Sequence, residues 1–275
     1  MTKKNSWQRL RRGSGGDALT LTVDFTSTGR TQACFRDLVP LLSVPGEIWE
    51  TVAPANGAED GMSGTDYVER WVRGVRKRER TVSTVIGYCA GAVFAAPLAA
   101  RLGELQGQAP TLVLLDPELP NIVGLYRDFH TAANALTAIL SPEEITRFHA
   151  DGQEVQQRYG FEDLSLIGPA LAGIFRDATS VAGERLGLDE DIRAELSGSF
   201  ASFVGYLRAA TEIDPIPLWT EAVAITSAHS TQRELDFAEN IRLNVDHDQM
   251  LRHPDVAAAV SRLLAGAPSD LRKAG

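Results

Sequence analysis

The sequence predicts an α/β protein with a mostly parallel sheet, on two observations. The first is alternation. Four apolar or β-branched runs of strand length (Leu19–Phe25, Glu47–Val52, Val82–Ile86, Thr111–Leu115) are separated by segments of helical period. The second is a glycine-bracketed turn, Gly87-Tyr88-Cys89-Ala90-Gly91, which joins the third run to a small-residue helical segment, Ala90 to Ala100. Such a strand–turn–helix junction holds its central residue in a strained conformation and needs small residues at both glycine positions. Cys89 is then exposed above the sheet at a helix N-terminus, whose dipole favours thiolate.

The bulk numbers narrow the class. At 275 residues, one large domain with a dry interior is possible, and we expect a single domain over residues 1–275. A net charge of −9 argues against a general nucleic-acid binder. No apolar run approaches the length of a membrane span, and the first residues lack an apolar signal core, so a cytoplasmic protein without membrane attachment is expected. Residues 1–16 carry five Lys/Arg and no acid, and read as a flexible basic tail. Of the two cysteines, both read as free thiols, with Cys34 a small buried hydrophobe on a helix. No metal site is expected, because no Cys or His pair with ligand spacing lies near a second pair.

The remaining elements follow in order. Thr31 to Leu42 has apolar residues at helical spacing and is closed by Pro45-Gly46. Tyr67, Val68, Trp71, Val72 and Val75 make an amphipathic stripe whose basic end, Arg76 to Arg80, reads as a solvated helix terminus. Beyond Asp116 the period is helical over about 121–140, 142–158, 164–186 and 189–210, with Ser141-Pro142-Glu143-Glu144 a helix-start signature. Residues 119–211 thus read as a helical lid inserted between two core strands. Strand character returns over Pro217–Ala228 and Ile241–Val245, and Pro254–Leu264 is a terminal amphipathic helix.

A nucleophilic thiol needs a base, and the base needs an orienting group. Parallel sheets gather ligands at the carboxyl ends of their strands. Asp116 ends the strand after the nucleophile and is the expected acid, with Glu118 as the alternative. Five histidines compete for the base. His130 and His149 lie on lid helices, His229 lies in a polar run, and His253 precedes a helix-starting proline and suits a cap. His247 follows the last strand, and the chain order Cys, Asp, His favours it. Ala90 N–H is the expected first oxyanion donor, and Thr28, in the loop after the first strand, the second.

These residues resemble the α/β-hydrolase thioesterases of polyketide and nonribosomal peptide synthases. Gly87-Tyr88-Cys89-Ala90-Gly91 stands where that family has Gly-x-Ser-x-Gly, and Asp246-His247 through Met250-Leu251 matches its terminal Asp-His-x-x-Met-Leu segment. Phe25-Thr26-Ser27-Thr28-Gly29 occupies the oxyanion loop without the usual prolines and paired glycines. Cysteine in place of serine is shared with dienelactone hydrolases, which place the acid further on and lack so large a lid. It is shared also with the discrete Dieckmann cyclases, which this chain resembles more. The resemblance implies an α/β-hydrolase fold and a Cys89–His247–Asp116 triad. It also implies a β-ketoacyl-aminoacyl chain delivered as a thioester on the phosphopantetheine of a separate acyl or peptidyl carrier protein, with no resident cofactor. The product class would be a tetramic acid or pyridone. A hydrolytic editing thioesterase and a non-catalytic carrier-binding module are the competing readings.

Overall fold

The computed structural model describes residues 5–13, 19–25, 32–54, 57–78, 80–161, 163–230 and 235–266. Strands β1 (Trp7–Arg11), β2 (Leu19–Val23), β3 (Glu47–Thr51), β4 (Val82–Tyr88), β5 (Thr111–Leu115), β6 (Val223–Thr226) and β7 (Glu239–Arg242) form one sheet. Their spatial order is β1-β3-β2-β4-β5-β6-β7. Only β1 runs antiparallel to its neighbour; the other pairs are parallel. The expected mostly parallel α/β architecture is therefore present.

Strand alternation sorts apolar side chains onto two faces. Val85, Leu112 and Leu114 pack with Trp71 and Phe94 on one side. Ile86, Val113, Leu115 and Ile225 pack with Phe35, Leu38, Val256 and Val260 on the other. The first face is covered by α2 (Gly64–Arg76) and α3 (Gly91–Gln106), the second by α1 (Phe35–Leu38) and, near the C-terminus, the helix Pro254–Leu264. Burial on both faces explains why β4 and β5 read as nearly continuous apolar runs.

Between β5 and β6 the chain makes α4 (Ile122–Leu136), α5 (Pro142–Tyr159), α6 (Leu164–Arg185) and α7 (Glu190–Thr211). Ser141 caps α5 as its sequence signature predicts, accepting from the Glu144 amide, while the Glu144 carboxylate takes the Ser141 amide. The helices are tied by aromatic contacts, Phe129 stacked on Phe148 at 4.3 Å and Phe175 against Phe200 at 5.3 Å. The later part of α7 enters the core, where Tyr206 meets Phe94 at 4.5 Å and Phe25 at 5.0 Å. One helix thus belongs both to the insertion and to the sheet's packing.

Several expectations are corrected. Part of the stretch read as a flexible tail, Trp7–Arg11, is an edge strand: Trp7 is buried, and its indole donates to the Trp71 carbonyl. The described part of the stretch read as a helix over Thr31–Leu42, from Gln32 on, is no single helix; α1 is one turn and a 3-10 turn, Val39–Leu41, follows it, with Pro40 denying a backbone donor. Cys34 stands at the N-cap of α1 and is only half-buried, because its amide and thiol turn to the Asp37 carboxylate. Pro217–Ala228 divides into a short helix, α8 (Ile216–Trp219), and β6, because Pro217 sits in the helix's first turn and Trp219 turns inward to the Ala92 carbonyl. β7 ends at Arg242, earlier than the expected Ile241–Val245, and a 3-10 segment, His247–Arg252, precedes α9 (Pro254–Leu264). The basic helix end is also less free than expected, since Arg80 pairs with Glu47 at 2.9 Å and Arg78 lies over Trp49.

The β4–α3 turn depends on two missing side chains. A Cβ at Gly87 would lie 2.6 Å from the Ala92 Cα, and one at Gly91 would run into the Val23 carbonyl oxygen. Since the obstacles are backbone, they cannot swing aside. Gly91→Ala should lower stability by about 1–3 kcal/mol, read as a shift of the urea midpoint with unchanged slope.

Candidate active site

The site forms where β4 and β5 end side by side. Tyr88 is paired with Leu115, and Leu115 with Ile225, so the next residues, Cys89 and Asp116, emerge together at the carboxyl edge. Both have positive φ, 50° and 43°, and no other non-glycine residue does so among those described. The strain is held by the sheet: the Cys89 amide donates to the Leu115 carbonyl at 3.1 Å and the Asp116 amide to the Ile225 carbonyl at 2.8 Å. Backbone continuity alone places thiol and carboxylate at one edge.

His247 arrives from the far end of the chain. Its Nδ1 lies 2.7 Å from Asp116 Oδ2, while Asp116 Oδ1 accepts from the Ser227 amide at 3.1 Å. Asp116 is buried, which raises its pKa, but the bonds from His247 and Ser227 outweigh burial and hold it below the usual carboxylate range. Tyr88 steadies the base from beneath: its ring stacks on His247 at 5.2 Å, and its hydroxyl donates to the His247 carbonyl at 2.9 Å. Sequence reasoning gave Tyr88 no role; its position one residue before the nucleophile was the available signal. Nε2 of His247 is buried and has no hydrogen-bond partner among the described residues. A base with Nδ1 anchored and Nε2 free is equipped to exchange a proton with a neighbour.

Cys89, Glu118 and His247 each bring a sulfur, oxygen or ring-nitrogen atom to within 4.8 Å of the others. Glu118 does not take the place of Asp116 beside His247 Nδ1. Its carboxylate lies on the sulfur, at 3.6 Å, and its amide donates to the Cys89 carbonyl. Sequence spacing does not show the three as one group, because folding brings them together from distant positions. Burial, then the charges of Glu118 and Asp128, push the Cys89 thiol well above its ordinary pKa, although the Ala90 amide pulls the other way. The expected helix-terminus activation of the thiol is present but overruled.

Ala90 lies beside Cys89 on the wall of a cleft that Phe25, Glu118, Arg127 and Tyr206 also line. Thr28, the other expected oxyanion donor, lies outside the described residues. The remaining histidines sit elsewhere: His130 and His149 face each other at 2.9 Å on α4 and α5, and His253 accepts from the Asp255 amide as a cap. His229 lines a small polar cleft beside Asp116 and His247. A second cavity, of about 300 Å³, runs among the α4, α6 and α7 helices and is lined by Leu136, Ile139, Phe175, Leu186, Leu196 and Phe200. It shares Phe25, Gln32, Asp128 and Phe203 with the cleft at Cys89, so the two are contiguous.

No family model and no curated protein sequence matches the chain. Solved structures do match in fold, among them two thioesterase domains and a nonribosomal peptide synthetase. The Vlm2 thioesterase domain, solved with a bound dodecadepsipeptide, aligns with a TM-score of 0.52 over 95% of this chain and 97% of its own, at 18% identity. The NocB thioesterase domain, in covalent complex with a fluorophosphonate nocardicin G analogue, aligns at 0.53 over 92% and 96%, at 15% identity. The four-domain nonribosomal peptide synthetase AB3403 aligns at 0.60 over 95% of this chain and 20% of its own, at 14% identity. The chain therefore has the thioesterase-like α/β-hydrolase fold. Among the described residues, no helix is long and apolar enough to cross a membrane.

The linkage of Asp116 has a definite sign. A carboxyl held below its unfolded pKa contributes stability above that pKa and loses it as pH falls through the folded value. Asp116→Asn should thus destabilise the protein at pH 7, and the difference from the parent should shrink below about pH 4 in paired chemical-denaturation curves.

Proposed function

We propose that this chain is an off-loading cyclase. It takes a β-ketoacyl-aminoacyl chain from the phosphopantetheine of a carrier protein onto Cys89 and releases it by intramolecular Dieckmann condensation as a tetramic acid or pyridone. The observation that carries this reading is a strained thiol beside an Asp116–His247 pair at 2.7 Å, opening into a largely apolar cavity. The fold likeness to synthase thioesterase domains supports the carrier-bound delivery.

The chemistry follows from the atoms. As the sulfur of Cys89 bonds to the thioester carbonyl carbon, His247 Nε2 takes the thiol proton. The tetrahedral intermediate collapses, the carrier thiolate leaves, and His247 returns that proton to it. The chain is still a thioester, so its carbonyl keeps a good leaving group. His247 next removes a proton from the carbon between two carbonyls. The carbanion attacks the acyl-enzyme carbonyl, a C–C bond closes the ring, the bond to Cys89 breaks, and the thiolate recovers the proton from His247. Asp116 keeps the imidazole oriented and stabilises its charged form in both steps. Ala90 N–H is suited to the developing oxyanion. Walls of Leu, Ile and Phe hold an acyl chain and keep water from competing with the carbanion.

Two outcomes test this. With a carrier-loaded β-ketoacyl-aminoacyl thioester, mass analysis should find the cyclic product, and Cys89→Ser should slow cyclisation and raise the share of linear acid. Linear acid as the parent's sole product would establish hydrolytic editing instead. Ala132→Trp, which narrows the apolar cavity, should depress kcat/KM for long-chain thioesters about tenfold or more while sparing short ones.

A further inference from the structure

The sulfur of Cys89 has two neighbours able to take its proton, and it is bonded to the less obvious one. Glu118 Oε2 lies 3.6 Å from the sulfur, in hydrogen-bond reach for a thiol, while the buried His247 Nε2 has no partner among the described residues. Glu118 is fixed for this contact. Asn121 Nδ2 donates to its other oxygen at 3.3 Å, its amide donates to the Cys89 carbonyl at 3.2 Å, and Arg127 stands 3.7 Å from Oε2. Its side chain is only 17% exposed, so solvent screens the carboxylate weakly.

We propose that Glu118 is a latch that keeps Cys89 protonated and turned from His247 until a thioester enters the cleft. The role rests on Cys89 being the nucleophile of the reaction above. A thiol donating to a carboxylate is a charge-assisted bond that exists only in the neutral-sulfur state; on ionisation it becomes the repulsion of two anions. The same sulfur turned to His247 would have the opposite preference, since an imidazolium stabilises thiolate. The site therefore has two arrangements of one atom, inert toward Glu118 and reactive toward His247. The substrate supplies the bias. A thioester whose carbonyl carbon approaches the sulfur and whose oxygen approaches Ala90 N–H competes with Glu118 for the space beside the thiol. Once turned, the S–H proton passes to Nε2 as the S–C bond forms. The gain is selectivity: stray electrophiles meet a thiol, and the cognate chain meets a nucleophile.

Alkylation by iodoacetamide as a function of pH, with the modified residue located by mass analysis and Cys34 as internal reference, tests the latch without any substrate. In Glu118→Gln the apparent pKa of Cys89 should fall, and its alkylation at pH 7 should quicken about tenfold, equivalent to about one pKa unit. Glu118→Asp retains the charge and should stay near the parent's profile. An unchanged or upward-shifted profile in Glu118→Gln overturns the proposal, as does an aspartate variant as fast as the glutamine one. The parent alone gives a second reading: a Cys89 pKa below about 7 would mean a preformed ion pair with His247 and would also overturn it. Because alkylation needs no carrier, these results are independent of whether the product is cyclic, linear or absent.

Discussion

The register between β4, β5 and β6 is the constraint on which the site depends. Three parallel strands end level, and the two residues that step off the first two ends are forced into left-handed backbone. Their amides reach across to the Leu115 and Ile225 carbonyls of the next strand, so each strained residue is held by its neighbour's strand. A slip of one residue in either pairing would turn the side chains to the opposite face and separate thiol from carboxylate. The glycines at 87 and 91 serve the same end, letting α3 press against the sheet closely enough for the turn to close.

Much of this was legible in the sequence because it is local. The Gly87–Gly91 bracket and the apolar runs before Cys89 and Asp116 fix strand ends through near-neighbour sterics, and Ser141-Pro142-Glu143-Glu144 fixes a helix start in the same way. His247 could be chosen from its place after the last strand, from chain order and from the terminal segment around it, and in the structure its Nδ1 meets Asp116. What could not be read depends on meetings between distant residues. Trp7 makes an edge strand because the Trp71 carbonyl awaits its indole, and no feature of residues 1–16 announces that. Glu118 was visible only as a spare acid; that its carboxylate reaches the sulfur depends on how the chain turns between β5 and α4. Tyr88 was hidden by its neighbour, since attention to a nucleophile passes over the ring beside it.

Helix-terminus electrostatics gives a further lesson. A cysteine at the start of α3 has the amide environment that ordinarily lowers a thiol's pKa. Here burial acts first and two carboxylates act next, and the single Ala90 amide does not offset them. The sign of the thiol's shift thus comes from burial at the strand end, from Glu118 in the turn after β5 and from Asp128 on α4. Reactivity at this edge is a property of sheet and insertion together.

The insertion itself starts just after β5 and ends just before β6, and those two strands are hydrogen-bonded neighbours. A long excursion of the chain therefore leaves and re-enters the sheet at adjacent points, and closure entropy grows only logarithmically with loop length. The pairing that sets Asp116 against the Ile225 carbonyl is made by the strands alone, whereas the cavity's shape is set by α4, α6 and α7. The fold behaves as a socket, in which strand pairing holds Cys89 and Asp116 side by side while the inserted helices shape the space above them.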